Sequence, residues 1–132
     1  MTDRADLCQF IRDCCNQFDG IDAAFLFGSR AGEEHTVSSD VDVALLLDAE
    51  EQNFDLLSFI VSLERKTHLT VDTIILNRAG EELKFQVRSR GVLVYEKNSV
   101  GRKNFEMKSR KYYEDYLYLH NRYVKNVLYG DN

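Results

Sequence analysis

The chain has 132 residues, with 17 Lys and Arg against 22 Asp and Glu and a formal net charge of −5. That length fits one domain, able to bury roughly two thirds of the surface its unfolded chain would expose. The acidic balance excludes a protein that holds nucleic acid by broad attraction to its phosphates, so direct nucleic-acid binding is not expected.

The amino end, Met1 to Asp6, is charged and is followed by no signal-type apolar region, and no apolar run approaches the length of a membrane span. A cytoplasmic protein with no membrane contact is therefore expected. Cys8, Cys14 and Cys15 lack C-x-x-C spacing and have no partner cysteines elsewhere, which argues against a disulfide framework or a zinc site. Cys8 and Cys15, seven apart, share a helical face with Leu7 and Ile11 and read as core packing.

From Thr2 to about Phe18, apolar residues recur at three-to-four spacing, which predicts an amphipathic helix capped by Thr2 or Asp3 and ending near Gly20. The apolar run Ile21–Phe27 predicts a strand that stops at Gly28-Ser29. There glycine permits a tight backbone and serine offers a hydroxyl and an N–H, the makings of a phosphate-binding corner. Arg30–Ser39 is polar and reads as a turn or short helix plus loop, in which His35 is expected to be solvated. Asp40 and Asp42 then head a second apolar strand through Leu47, and the period of two turns both side chains to one face. Like charges so placed repel unless a cation lies between them. The pair is either a solvated strand end or a site for a hard divalent ion, Mg²⁺ or Mn²⁺ in preference to Zn²⁺.

Val43–Leu47 is almost continuously apolar, the pattern of a central strand buried on both faces. Asp48–Asn53 is an acidic link, followed by a predicted helix from Phe54 to about Lys66 and a strand over Leu69–Leu76. Asp72 alternates in phase with Ile74 and Leu76, so it is either an edge aspartate facing solvent or a third ligand. A short helix over Glu81–Arg90, capped by Gly91, leads to a fourth strand, Val92–Glu96. Arg78, Arg88 and Arg90 are in range of a triphosphate or are simply solvated. Six of the seven tyrosines fall between Arg102 and Tyr129, where two neighbouring apolar stripes at helical spacing predict a helix with more apolar surface than one small sheet can cover. Flanked by Arg110, Lys111, Arg122 and Lys125, the second stripe reads as core or as a surface for a protein partner.

Gly28-Ser29, ten intervening residues, then Asp40-Val41-Asp42 resembles the signature of the DNA polymerase β-like nucleotidyltransferases, with Asp72 standing at the third acidic strand position. The chain is most similar to the minimal members, the MNT antitoxins that accompany HEPN-domain toxins. Gly32 stands where many of these carry a basic loop residue. The resemblance implies an α/β (α+β) nucleotidyltransferase fold, a small mixed sheet with flanking helices over residues 1–100 and an added C-terminal helix over 101–132. It implies Asp40, Asp42 and Asp72 as catalytic residues and ligands of two Mg²⁺ ions, and Gly28, Ser29 and Arg30 as binding the phosphates of ATP. It further implies transfer of AMP to a tyrosine of a HEPN RNase toxin held in a hetero-oligomeric complex. Two alternatives are a non-catalytic antitoxin acting by contact and a transferase acting on a small hydroxylated molecule.

Overall fold

A computed structural model of the chain describes residues 3–31, 40–51, 53–128 and 130. Helix α1 (Arg4–Asn16) is followed by strand β1 (Ile21–Phe27), a 3₁₀ turn (Gly28–Ala31) and β2 (Val41–Leu47). Then come α2 (Leu56–Thr67), β3 (Val71–Ile75), a second 3₁₀ turn (Leu76–Arg78), α3 (Glu81–Arg90), β4 (Val92–Glu96) and the long α4 (Ser99–Leu128). The four strands form one mixed sheet in the order β3-β2-β1-β4, in which β1 is antiparallel to both neighbours and β2 and β3 are parallel. The sheet with its flanking helices is the small mixed architecture that the family resemblance implies.

Strand alternation divides the core into two. Ala24, Leu26, Val43 and Leu45 face one side, where α1 and α2 cover them with Leu7, Ile11, Cys15, Phe59 and Leu63. Ala23, Phe25, Ala44 and Leu46 face the other side, against Val87 of α3 and Phe105 of α4. β2 is buried along both faces, as its continuous apolar run predicts. Phe59 is fully buried, with the Phe18 and Phe54 rings 5.5 and 6.2 Å away. Cys14 and Cys15 are buried, and burial pushes both thiols up from their ordinary range, so they pack and are not nucleophiles.

Asp3 caps α1 by accepting from the Asp6 N–H at 2.8 Å. The helix expected from Phe54 starts two residues later, because Asp55 caps it by accepting from the Ser58 N–H and hydroxyl, leaving Phe54 to pack on Phe18. β3 ends at Ile75 and Leu76 enters the following 3₁₀ turn, so the strand is shorter than Leu69–Leu76. Gly91 closes α3 with extended backbone at φ −72° and not in the left-handed cap that a terminal glycine usually signals. What requires glycine there is space, since a Cβ would lie 2.4 Å from the Val87 carbonyl oxygen.

Asp22, on β1, carries a carboxyl raised above the usual carboxylate range, by burial first and by the charge of Asp48 second, against the pull of the Asn98 hydrogen bond and of Lys97. The folded chain therefore holds this proton more tightly than the unfolded chain, which releases it near pH of about 4. The corresponding stability is present below that value and is lost as pH rises through the folded pKa. Asp22→Asn, which keeps an oxygen for Asn98, is expected to melt above the parent at neutral pH, with the difference vanishing in acid. A melting series against pH checks this, and a lower midpoint at neutral pH would contradict it.

Candidate functional site

The site follows from strand direction. β1 ends where β2 begins, so Phe27 pairs with Asp42, and parallel β3 brings Asp72 beside Asp42 in register. Asp42 stands two residues before Ala44, and Asp72 two before Ile74, so both carboxylates point to the α3 side of the sheet. Between the sheet end and α3 lies a cleft of about 970 Å³ whose sheet wall includes Gly28, Asp42, Asp72 and Ile74. Its other wall is Glu82, Phe85, Gln86, Ser89 and Arg90 of α3, closed by Tyr113 of α4.

Gly28 adopts φ +72°, in the left-handed region, and a Cβ there would lie 2.2 Å from Oδ2 of Asp42. The glycine thus permits both the sharp exit from β1 and the approach of the Asp42 carboxylate to the backbone. Ser29 follows as the second residue of the 3₁₀ turn. The expectations for its hydroxyl, for His35 and for the loop 32–39 lie outside the described residues.

Asp42 is half-buried, and its carboxyl is raised by burial, then by the charge of Asp72, then by that of Asp40. The sequence pairs Asp42 with Asp40, two residues away; in the fold Asp72 is the stronger neighbour, because the parallel ladder sets the two side by side. Asp40 is exposed, precedes β2, and is not among the residues lining the cleft. Among the described residues no group of three or more His, Cys, Asp and Glu side chains is gathered as a ready metal site. The donors that do line the sheet wall are carboxylates without imidazole or thiolate, and like-charge crowding at Asp42 is what a cation would relieve. That chemistry fits a hard divalent ion.

The candidate arginines differ in where they stand. Arg30 is only 5% exposed and is not part of the cleft lining, whereas Arg90 is. The Arg88 guanidinium lies over the Phe85 ring at 5.5 Å. Sequence reasoning offered Arg88 and Arg90 of α3 for a triphosphate but did not name Phe85, Gln86, Ser89 or Tyr113 as lining residues. The available signal was Phe85, an aromatic residue in a mostly polar helix, and it is 37% exposed.

α4 runs for 30 residues, but only Ser109 in it is fully buried. Its first turns belong to the sheet domain, with Phe105 in the second core. Beyond Tyr113 the side chains of Tyr118, Leu119, Tyr123, Val127 and Leu128 are all exposed. The two expected stripes thus leave the sheet domain after four turns instead of sharing their residues with the core.

No curated protein matches the chain in sequence. Solved structures match its fold closely. A toxin–antitoxin crystal structure with AMP-PNP superposes with a TM-score of 0.74 at 20% identity, covering 96% of this chain and 99% of that one. The toxin–antitoxin MntA-HepT superposes at 0.67 and 19% identity over 95% and 96% of the two chains. A tri-AMPylated Shewanella oneidensis HEPN toxin in complex with MNT antitoxin does so at 0.67 and 19% over 95% of each. No described helix is long and apolar enough to cross a membrane. The family model for polymerase beta nucleotidyltransferases matches residues 9–100, taking in the later part of α1, the whole sheet and all of α3, and the chain belongs to that family.

Proposed function

We propose that this chain is a cytoplasmic antitoxin that works as a protein adenylyltransferase, moving AMP from ATP to a tyrosine of a HEPN RNase toxin with which it forms a hetero-oligomer. The observation that carries the reading is the side-by-side placement of Asp42 and Asp72 at the mouth of a cleft of about 970 Å³, against the left-handed Gly28. The family, the nucleotide analogue in one structural neighbour and the AMPylated toxin in another support the same chemistry.

In this reading the backbone at Gly28 and Ser29, at the start of the 3₁₀ turn, receives the phosphates together with Arg30. Asp40, Asp42 and Asp72 would hold Mg²⁺. When bound, the ions supply charge neutralisation on the triphosphate. Asp72 takes the proton of the attacking phenol, which with a pKa of about 10 is more readily ionised than an aliphatic hydroxyl. Residues 1–100 form the catalytic unit and 101–132 the partner-binding segment of the same unit; that boundary falls within the first turn of α4, so the helix is continuous with the domain that presents it.

A second reading, silencing by contact alone, is favoured by the exposed Tyr118, Leu119, Tyr123 and Val127 of α4. The two separate when the chain is incubated with α-labelled ATP, Mg²⁺ and the product of its neighbouring gene. Transfer puts AMP on a tyrosine of that product, located by peptide fragmentation. Stable association without label supports contact alone.

A further inference from the structure

Adenylyl transfer to a phenol needs a tyrosine at the cleft, and the chain brings one of its own. Tyr113 of α4 lines the same cleft as Asp42 and Asp72. Its ring lies on Phe85, with centroids 4.3 Å and planes 10° apart, and the Tyr116 ring follows at 6.0 Å and 29°. The close Phe85 contact covers a face of the Tyr113 ring. Its hydroxyl makes no hydrogen bond among the described residues. α4 is held one turn earlier by buried Ser109 and, below that, by Phe105 in the core, which anchors this stretch of the helix to the domain that bears the cleft. Ser89 is the other described hydroxyl in the lining. Its hydroxyl donates to the Phe85 carbonyl, and a serine ionises far less readily than a phenol with its pKa of about 10.

From this juxtaposition we propose that the chain modifies itself, with Tyr113 accepting AMP from ATP bound in the cleft of the same molecule. The inference rests on the transfer reading above. Tyr113 Oη forms a bond to the α-phosphorus of ATP. The bond from that phosphorus to the oxygen bridging the β-phosphate breaks, and diphosphate leaves with the bonding electron pair. The phenolic proton passes to the Asp72 carboxylate and on to solvent. No redox change is involved. The product leaves AMP tethered in the space the next ATP needs, so each chain takes one AMP.

The test incubates the full chain with α-labelled ATP and Mg²⁺, alone and together with the product of the neighbouring gene, and locates label by intact mass and peptide fragmentation. The expected result is one AMP per chain, on Tyr113, at a first-order rate unchanged on dilution. The Tyr113→Phe chain, which keeps the ring stack and is verified as folded by its melting curve, takes no label. If the neighbouring product is labelled while this chain is not, self-modification is overturned and the transfer reading stands. Label on another residue, or at a rate that falls with dilution, overturns it equally. If neither protein is labelled, the transfer reading fails and self-modification fails with it.

Discussion

Asp42→Asn is expected to slow adenylyl transfer by about 10²–10³-fold or more, the scale seen when one preorganised electrostatic group is removed from an active site. The same substitution should raise the melting temperature at neutral pH in buffer free of divalent ions. The Asp42 carboxyl is raised by burial, by Asp72 and by Asp40, so at neutral pH its charge is held against desolvation and repulsion that asparagine removes. Mg²⁺ should reverse the order, since binding to the folded state stabilises the parent by mass action and the variant less. Steady-state rates and melting curves with and without Mg²⁺ check both halves. A variant that keeps the full rate would contradict the assignment of Asp42.

Gly28→Ala should damage both stability and chemistry. A left-handed residue with a Cβ costs about 1–2 kcal/mol, and here the φ is +72°. The added carbon would also meet Asp42 Oδ2 at 2.2 Å, so the carboxylate must move. A displacement of about 1 Å at a reacting centre can cost on the order of 10²-fold in rate. The expected result is a lower unfolding midpoint together with a transfer rate reduced on that scale. An alanine variant with parental stability and rate would show that neither the backbone conformation nor the close approach to Asp42 matters.

The difference between what the sequence conveys and what the fold adds lies mainly in non-local geometry. Period-two alternation and the unbroken run Val43–Leu47 reveal the strands and the central position of β2, because burial on two faces leaves a direct mark on hydropathy. Gly28, Asp42 and Asp72 can be read as candidates because each breaks an apolar pattern at a strand end. Their mutual arrangement cannot, since the Asp42–Asp72 register depends on how the α2 crossover returns β3 beside β2. Arg30 illustrates the same limit: its place after Gly-Ser points to phosphate, while the 3₁₀ turn folds it into the protein. The shift in the start of α2 reflects local competition, in which the Asp55 cap outweighs the apolar signal of Phe54. For α4, periodicity identifies the helix but not where it leaves the sheet. Exposure from Tyr118 onward is set by the size of the sheet, not by any residue of the helix.

Neutralisation by catalysis, as opposed to contact, is tested most directly in cells that produce the neighbouring gene product together with either the unaltered chain or Asp42→Asn at equal levels. Covalent AMP persists after the two proteins separate, whereas contact inhibition lasts only as long as the complex. Growth should be protected by the unaltered chain and lost with Asp42→Asn, although the variant still co-purifies with its partner through α4. Equal protection by the two chains would contradict catalysis as the means of neutralisation.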